Sequence, residues 1–347
     1  MTIGILDAAP AIGELASAAS LQLSIVVPMY NEAECVAPLM ARLREVLAAY
    51  GRSYEVILVD DGSRDGTTQA ILAAEQADER VRGVFLARNY GQSTAMQAGF
   101  DAARGDAVVT MDSDLQHPPA VILEMLTEWR AGHDVVLTVR RDNKSLGLVK
   151  KLAVPVFYKA LRYCSGMDVR PAAADFRLMS RKALDALLRM PERHRFIRGM
   201  VHWLGFETSE VNFLAPPRFK GKSKFTLVRM IRLARDGLLS FSRVPLHAAL
   251  LFAGAMMMLS FLGTTGAWMA FHPDGSTGWL ILALILGAHL AGGAAWIALL
   301  AFSEYLARIH EQVLGRPLYV VRESSADLRG SEATFSLNSR ESRMEVA

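Results

Sequence analysis

Two long stretches free of formal charge dominate the last third of this chain. No Asp, Glu, Lys or Arg occurs over residues 244–273, and after a lone Asp274 none occurs again until Glu304. Each stretch exceeds the ~20 residues that an apolar helix needs to cross a bilayer. Two buried core helices of that length would require a larger surrounding domain, so a membrane hairpin is the expected arrangement. The connection His272-Pro273-Asp274-Gly275-Ser276-Thr277-Gly278 is short and turn-forming, which puts both flanks on one side. Residues 218–243 carry eight basic side chains against one acid, Arg308, Arg316 and Arg322 follow the second stretch, and the connection holds neither Lys nor Arg. Positive flanks belong on the cytoplasmic side. The expected location is therefore the inner (cytoplasmic) membrane, multi-pass, with everything before the hairpin in the cytoplasm.

The remaining length suffices for a full α/β domain. A hydrophobic fraction of 52% and a mean hydropathy of +0.21 are high for a soluble enzyme, and the hairpin accounts for the excess. Residues 1–20 lack the basic start of a secretory signal, contain Asp7 and Glu14, and are expected to be a mobile tail. From Glu323 onward the chain turns polar and Ser-rich, and disorder is expected over 323–347. Two cysteines, Cys35 and Cys164, are too few for a disulfide framework or a zinc site and fit a reducing compartment.

Between Leu21 and Val139 short β-branched runs alternate with helical segments. Residues 23–27, 54–59, 81–86, 107–111 and 134–139 predict strands, and 34–50, 67–77, 92–103 and 118–131 predict helices. Such alternation implies a mostly parallel sheet covered on both faces. Further on, 145–164 predicts an amphipathic helix, and 175–179 and 206–213 predict strands. Residues 227–242 place Arg229, Arg232 and Arg235 on one helical face, as expected of a helix lying in the membrane interface. The domain boundaries drawn from this are 21–226 for a catalytic domain, 227–243 for the interfacial helix, 244–303 for two spans and 304–322 for a juxtamembrane segment.

Each of the first four strands ends in a polar cluster: Pro28-Met29-Tyr30-Asn31-Glu32, Asp60-Asp61-Gly62-Ser63 with Asp65 and Thr67, Arg88-Asn89-Tyr90-Gly91, and Asp112-Ser113-Asp114-Leu115-Gln116-His117. In open α/β sheets ligands bind at that edge. Asp112 and Asp114, one residue apart where a buried strand runs out, are suited to a hard divalent cation, Mg²⁺ or Mn²⁺, shared with a diphosphate. Asp60 and Asp61 offer acceptors for a base N–H or ribose hydroxyl, and Tyr30 offers a ring to cover the base. Gly221-Lys222-Ser223 does not complete a phosphate loop, because Pro216 occupies the place of the required glycine. No G-x-G-x-x-G follows the first strand, and neither H-E-x-x-H nor G-x-S-x-G occurs.

Together with Asp175-Phe176-Arg177-Leu178 and Arg218-Phe219-Lys220-Gly221-Lys222-Ser223-Lys224, these clusters resemble family 2 glycosyltransferases, most of all the polyprenyl-phosphate branch. The resemblance spans residues 21–322. It implies an α/β fold, a Rossmann-like nucleotide-sugar-binding domain of the GT-A type, followed by interfacial amphipathic helices and a two-helix transmembrane hairpin. By position it implies that Pro28, Tyr30, Glu32, Asp60 and Asp61 bind nucleotide, that Asp112 and Asp114 hold the metal with Gln116 nearby, and that Asp175 and Asp114 serve catalysis. Arg218, Ser223 and Lys224 match the segment for the acceptor phosphate. Lys222 and His117 depart from the pattern, since relatives often carry an acid at the first and an acid or amide at the second.

The implied reaction is inverting transfer of one sugar from a nucleotide sugar, with UDP favoured over GDP, to polyprenyl phosphate. A phosphate monoester is already largely anionic at neutral pH, its second pKa lying near ~6, so Asp175 need not remove a proton. Its expected role is to orient the sugar or to steady an oxocarbenium-like transition state, with Arg177 holding it in place. Arg193, His194, Arg195 and Arg198 form a second cationic cluster, either on the acceptor side or solvated. Two alternatives stay open: the same fold acting on a lipid or polysaccharide hydroxyl, and a non-catalytic scaffold that binds nucleotide sugar. Partners are the nucleotide sugar, polyprenyl phosphate and membrane lipids, with no nucleic acid. His247, His289 and the run Gly292-Gly293-Ala294-Ala295 permit helix packing and a homo-oligomer.

Overall fold

The computed structural model describes residues 21–141, 173–216, 244–271 and 277–324, with single positions at 159, 162, 237, 239 and 242. Apart from those single positions, the helix expected over 145–164 and the interfacial helix lie outside the described residues, as do the tails up to residue 20 and beyond 324 and Cys164. So do Arg218, Ser223 and Lys224.

An eight-stranded sheet organises the first domain: β1 (Leu23–Met29), β2 (Tyr54–Asp60), β3 (Val81–Leu86), β4 (Ala107–Thr110), β5 (Val135–Arg140), β6 (Ala173–Ser180), β7 (Thr208–Phe213) and β8 (Val321–Ser324). Their order is β7-β5-β6-β4-β1-β2-β3-β8. β1, β2 and β4 are buried along their whole length, as continuous apolar runs require when helices cover both faces of a sheet. Helices α1 (Ala33–Tyr50), α2 (Thr67–Ala77) and α4 (Val121–Arg130) pack on one face, against Leu23, Ile25 and Val27 of β1. The helices α3 (Gln92–Ala102), α5 (Arg181–Leu188) and α6 (Ile197–Trp203) pack on the other, around Val26.

This division follows from handedness. The chain steps outward from β1 to β2 to β3, then returns past β1 to β4. Right-handed crossovers in opposite directions must use opposite faces, so α3 lies across the sheet from α1 and α2. The reversal leaves a switch point between the carboxyl ends of β1 and β4, which is where a ligand crevice opens. Pro28 marks the opening. Met111 N–H donates to Val26 O and Asp61 N–H to Met29 O, so alternation turns the missing N–H of Pro28 toward β4 just past the last shared bond. At Gly99 of α3 a methyl group would overlap Val26, so the absence of a side chain there sets how closely α3 approaches the sheet.

Two strands break the expected parallel order. β6 runs antiparallel between β4 and β5, pairing Thr110 with Arg177 and Val136 with Leu178. β8 runs antiparallel beside β3, pairing Phe85 with Glu323 and Val84 with Ser324. Glu323 and Ser324, expected to begin the disordered tail, instead close the sheet edge; a four-residue β-branched and polar strand carries little signal of its own, and the pairing is supplied by β3.

The two charge-free stretches form helices α7 (Val244–Phe271) and α8 (Thr277–Val313). Segments Val244–Met269 and Ile281–Val313 are long and apolar enough to cross a membrane, and only about a tenth of each is buried within the protein (11% in both). They form a hairpin in which Ser260 Oγ donates to Gly287 O at 2.7 Å. The side chain of Ser260 and that of Thr264 meet α8 where Gly287 has none. Tyr305 hydroxyl donates to Ser242 O at 2.9 Å on the flank where the helices leave the charge-free region.

Candidate active site

Four loops at the carboxyl edge are joined by hydrogen bonds into one surface. The first and second loops are knitted by Asn31 N–H to Ser63 Oγ (2.9 Å), Arg64 N–H to Asn31 Oδ1 (2.9 Å), Glu32 N–H to Thr67 Oγ1 (2.9 Å) and Ala33 N–H to Asp65 Oδ2 (3.3 Å). Burial opposes the charge of Asp65, but the Thr67 hydroxyl, with the Ala33 and Thr67 N–H groups, outweighs it and holds its carboxyl below the ordinary range. Within the second loop, Asp60 accepts from Ser63 N–H at 2.8 Å and from the Thr68 hydroxyl.

Asp61 clamps the second loop to the third: its two oxygens accept from Tyr90 N–H (2.6 Å) and Gly91 N–H (2.8 Å). Burial raises its pKa, and the two amides offset that only in part. The loops approach so closely that a methyl group on Gly62, itself at φ +68°, would sit 2.5 Å from the carbonyl carbon of Arg88. Arg88 lies over the Tyr90 ring, 4.2 Å from its centre.

The third loop reaches the fourth through Gln92 Nε2, which donates to Asp112 Oδ1 at 2.9 Å. Asp112 N–H donates to His117 Nδ1 at 2.9 Å, which leaves the imidazole proton on Nε2, 3.7 Å from Asp112 Oδ2. The His117 ring is buried and stacked on Phe176 with 4.9 Å between centres. It braces the acidic loop from beneath. Leu115 adopts φ +61°, which turns Gln116 N–H back to Asp114 Oδ1 at 3.1 Å. A left-handed leucine is costly, and its buried side chain holds the turn in place.

Asp175 arrives from the opposite direction. Continuing the antiparallel β4–β6 register two residues past Thr110 and Arg177 brings it beside Asp112. Its Oδ1 accepts from Arg177 (2.7 Å) and from Arg198 Nε (2.9 Å), and its Oδ2 from the second nitrogen of Arg198 (2.9 Å). Burial alone would raise its pKa; Arg198 first and Arg177 second reverse that and hold the carboxyl well below the usual range. Among the described residues no guanidinium hydrogen-bonds Asp112. Protein surrounds it, although 37% of its side chain remains open to the crevice. Burial, with only His117 and Arg198 opposing, and the charges of Asp175 and Asp114 hold it above the ordinary range.

The expected residues Pro28, Tyr30, Glu32, Asp60, Asp61, Asp112, Asp114, Gln116 and Asp175 thus share one edge. The second cationic cluster does not stay together. Arg195 caps the end of α5 by donating to Leu187 O at 2.8 Å, the Arg193 side chain donates to Pro317 O just past α8, His194 pairs with Glu311 of α8, and only Arg198 enters the site. Two further residues had no distinct sequence signal. Gln92 is an ordinary helix-start residue until the fold brings it to Asp112. Arg140 ends β5 on the same edge, and its buried Nε has no hydrogen-bond partner among the described residues.

The donor set fits a divalent cation shared with substrate. Mg²⁺ and Mn²⁺ take oxygen ligands, usually one or two carboxylates together with phosphate and water. Asp112 and Asp114 would supply that pair, and the described residues contain no group of three or more ligating side chains that would make a closed cage.

An open sheet with this switch point, lined by acidic loops and extended by one antiparallel strand that delivers a further carboxylate, defines a GT-A glycosyltransferase domain. Residues 24–188 match the family model described as Glycosyl transferase family 2. The chain is 37% identical to an uncharacterized glycosyltransferase of Synechocystis, over 90% of this chain and 97% of the relative. It is 33% identical to the SfII prophage-derived bactoprenol glucosyl transferase of Shigella flexneri, over 88% of this chain and 98% of that one. Among solved structures it is similar to glucosyl-3-phosphoglycerate synthase from Mycobacterium tuberculosis in complex with Mn²⁺ and UDP-glucose (TM-score 0.45, 21% identity, 68% of this chain and 85% of that one). The chain belongs to glycosyltransferase family 2.

Proposed function

We propose that this glycosyltransferase moves one sugar from a UDP-sugar to polyprenyl phosphate at the cytoplasmic leaflet of the inner membrane, with α7 and α8 both spanning it. The observation that carries the reading is the state of Asp175. A carboxylate accepting three charge-assisted bonds from two guanidiniums is ionised but a weak base. A hydroxyl acceptor needs a base to take its proton; a phosphate acceptor is already anionic. The bactoprenol glucosyl transferases, 33% identical over most of the chain, support the same choice.

In the proposed step a phosphate oxygen bonds to the anomeric carbon from the face opposite the diphosphate, the bond from that carbon to the diphosphate oxygen breaks, and nucleoside diphosphate leaves. Asp112 and Asp114 would hold Mg²⁺ or Mn²⁺, which when bound neutralises charge on the leaving diphosphate. Pro28, Tyr30, Glu32, Asp60 and Asp61 line the nucleotide side; Asp60 and Asp61 keep spare lone pairs beyond their loop bonds. Asp175 orients the sugar. Arg218, Ser223 and Lys224 are assigned to the acceptor phosphate, where arginine gives a bidentate fork.

The test is incubation of the detergent-purified protein with Mn²⁺, undecaprenyl phosphate and a panel of UDP- and GDP-sugars, with the lipid product read by mass spectrometry. A gain of one sugar, lost with EDTA and in Asp114→Ala, is expected. Nucleotide release only when a hydroxyl acceptor replaces the lipid phosphate would overturn the reading.

A further inference from the structure

α8 is longer than a span requires. Its charge-free part ends at Ser303, and the ten residues 304–313 carry it about 15 Å farther at 1.5 Å per residue. That extension reaches the loop joining α5 to α6. Gln312 Nε2 donates to Pro191 O at 2.6 Å, and Gln312 Oε1 accepts from Arg193 N–H at 3.2 Å. One side-chain amide therefore grips two backbone groups of the loop, as a neighbouring strand would. The adjacent His194 Nε2 and Glu311 Oε2, 2.8 Å apart, join the same two segments.

Four residues after the gripped segment, α6 begins, and its second residue is Arg198. Between them the loop has little freedom. Arg195 is bonded to Leu187 O and Met190 O, and Phe196 is buried. A shift at Pro191–Arg193 is therefore passed to α6, and Arg198 makes two of the three bonds that hold Asp175. After α8 the chain stays on the domain: Tyr319 hydroxyl donates to Asp101 of α3 at 2.6 Å, and Ala87 N–H donates to Val320 O at 2.9 Å, one residue before the third loop.

We propose that Arg198 is a positioning residue for sugar transfer and that Gln312, on the extension of the second span, sets its place. The hairpin is then a working part of the active site as well as an anchor. The inference rests on the reading that Asp175 faces the reacting sugar.

The experiment uses the full chain in phospholipid nanodiscs and compares wild type with Gln312→Ala, Arg198→Lys and the double variant. Hydrogen exchange, measured with UDP and Mn²⁺ as the only ligands, should rise across residues 191–203 in Gln312→Ala while β2 stays protected. For transfer, kcat should fall roughly three- to tenfold in Gln312→Ala and roughly tenfold or more in Arg198→Lys, at unchanged donor KM, from the usual strengths of neutral and charged hydrogen bonds. The double variant should lose less than the product of the two, because both act through one contact chain. Unchanged exchange over 197–203 in Gln312→Ala, or losses that simply multiply, would overturn the proposal. If the wild type yields no sugar-linked lipid, the functional reading fails, and the exchange result still decides the coupling.

Discussion

Replacing Asp175 by asparagine removes one charge with almost no change in shape, and the structure gives the size of the consequence. The carboxylate accepts three bonds. An amide can accept at one oxygen only, so at most the two contacts at Oδ1 survive, now to a neutral acceptor, while the remaining Arg198 nitrogen faces an NH₂ group. Losing a hydrogen bond to a charged group costs about 1.5–3 kcal/mol, and turning two others from charged to neutral costs about 1 kcal/mol each. The sum, about 3–5 kcal/mol, equals what breaking a buried ion pair costs. Arg177, 2% exposed, cannot recover the loss by turning to water. For a domain of this size the expected fall in Tm is about 6–20 °C at roughly 2–4 °C per kcal/mol. The folded-state pKa of Asp175 is depressed, so its contribution is complete above the unfolded value near ~3.9 and is lost only as pH falls through the lower folded value. The penalty in Asp175→Asn should accordingly be the same at pH 8 and pH 5. Thermal unfolding in detergent, followed by intrinsic fluorescence at both pH values, measures it. A fall under 2 °C, or one that disappears at pH 5, would refute the assignment of Asp175 as a clamped, permanently ionised group.

Other consequences are independent of that pair. Asp112→Ala and Asp114→Ala should each reduce transfer by more than the roughly 10–100-fold that losing a mere outer-shell partner of a metal ligand costs, while Tm changes little; activity assays across Mn²⁺ concentrations check this, and full activity in either would remove the metal assignment. Gly62→Ala must displace the backbone at Arg88 and Asn89 and accept a positive φ, so it should cost about 1–3 kcal/mol and raise donor KM through the third loop, read by thermal unfolding and donor titration. Burial, assisted by Glu32, pushes the Cys35 thiol up to about 11. In the folded protein it should resist iodoacetamide at pH 8 and become alkylated only after denaturation, which peptide mapping detects; rapid labelling of the native protein would contradict the buried position.

What the sequence disclosed and what it concealed divide along a physical line. The outward strands, the hairpin and the acidic turns were legible because each is a local pattern: apolar runs of strand length, charge-free runs of span length, and Asp-Gly or Asp-x-Asp where a strand stops. Helix starts and ends fell within a few residues for the same reason. The insertion of β6 was not legible, since whether a strand enters parallel or antiparallel depends on the path before it and not on its own residues. Yet that orientation decides the site, because only an antiparallel β6 presents its first residues, and so Asp175, at the edge where β4 presents its last. Arg198 illustrates the same limit. In sequence it is one of four neighbouring cations with no feature to separate it from Arg193 or Arg195; in the fold Arg193 reaches Pro317 past the end of α8, Arg195 the end of α5 and Arg198 the Asp175 carboxylate. Asp61 shows the converse. Its pattern pointed to a ligand, but each of its two oxygens already accepts one bond, from the Tyr90 and Gly91 amides, so its first duty is to hold two loops together. A strand-end carboxylate can thus shape a site by ordering the loops around it as much as by touching what binds there, and composition alone does not separate the two roles.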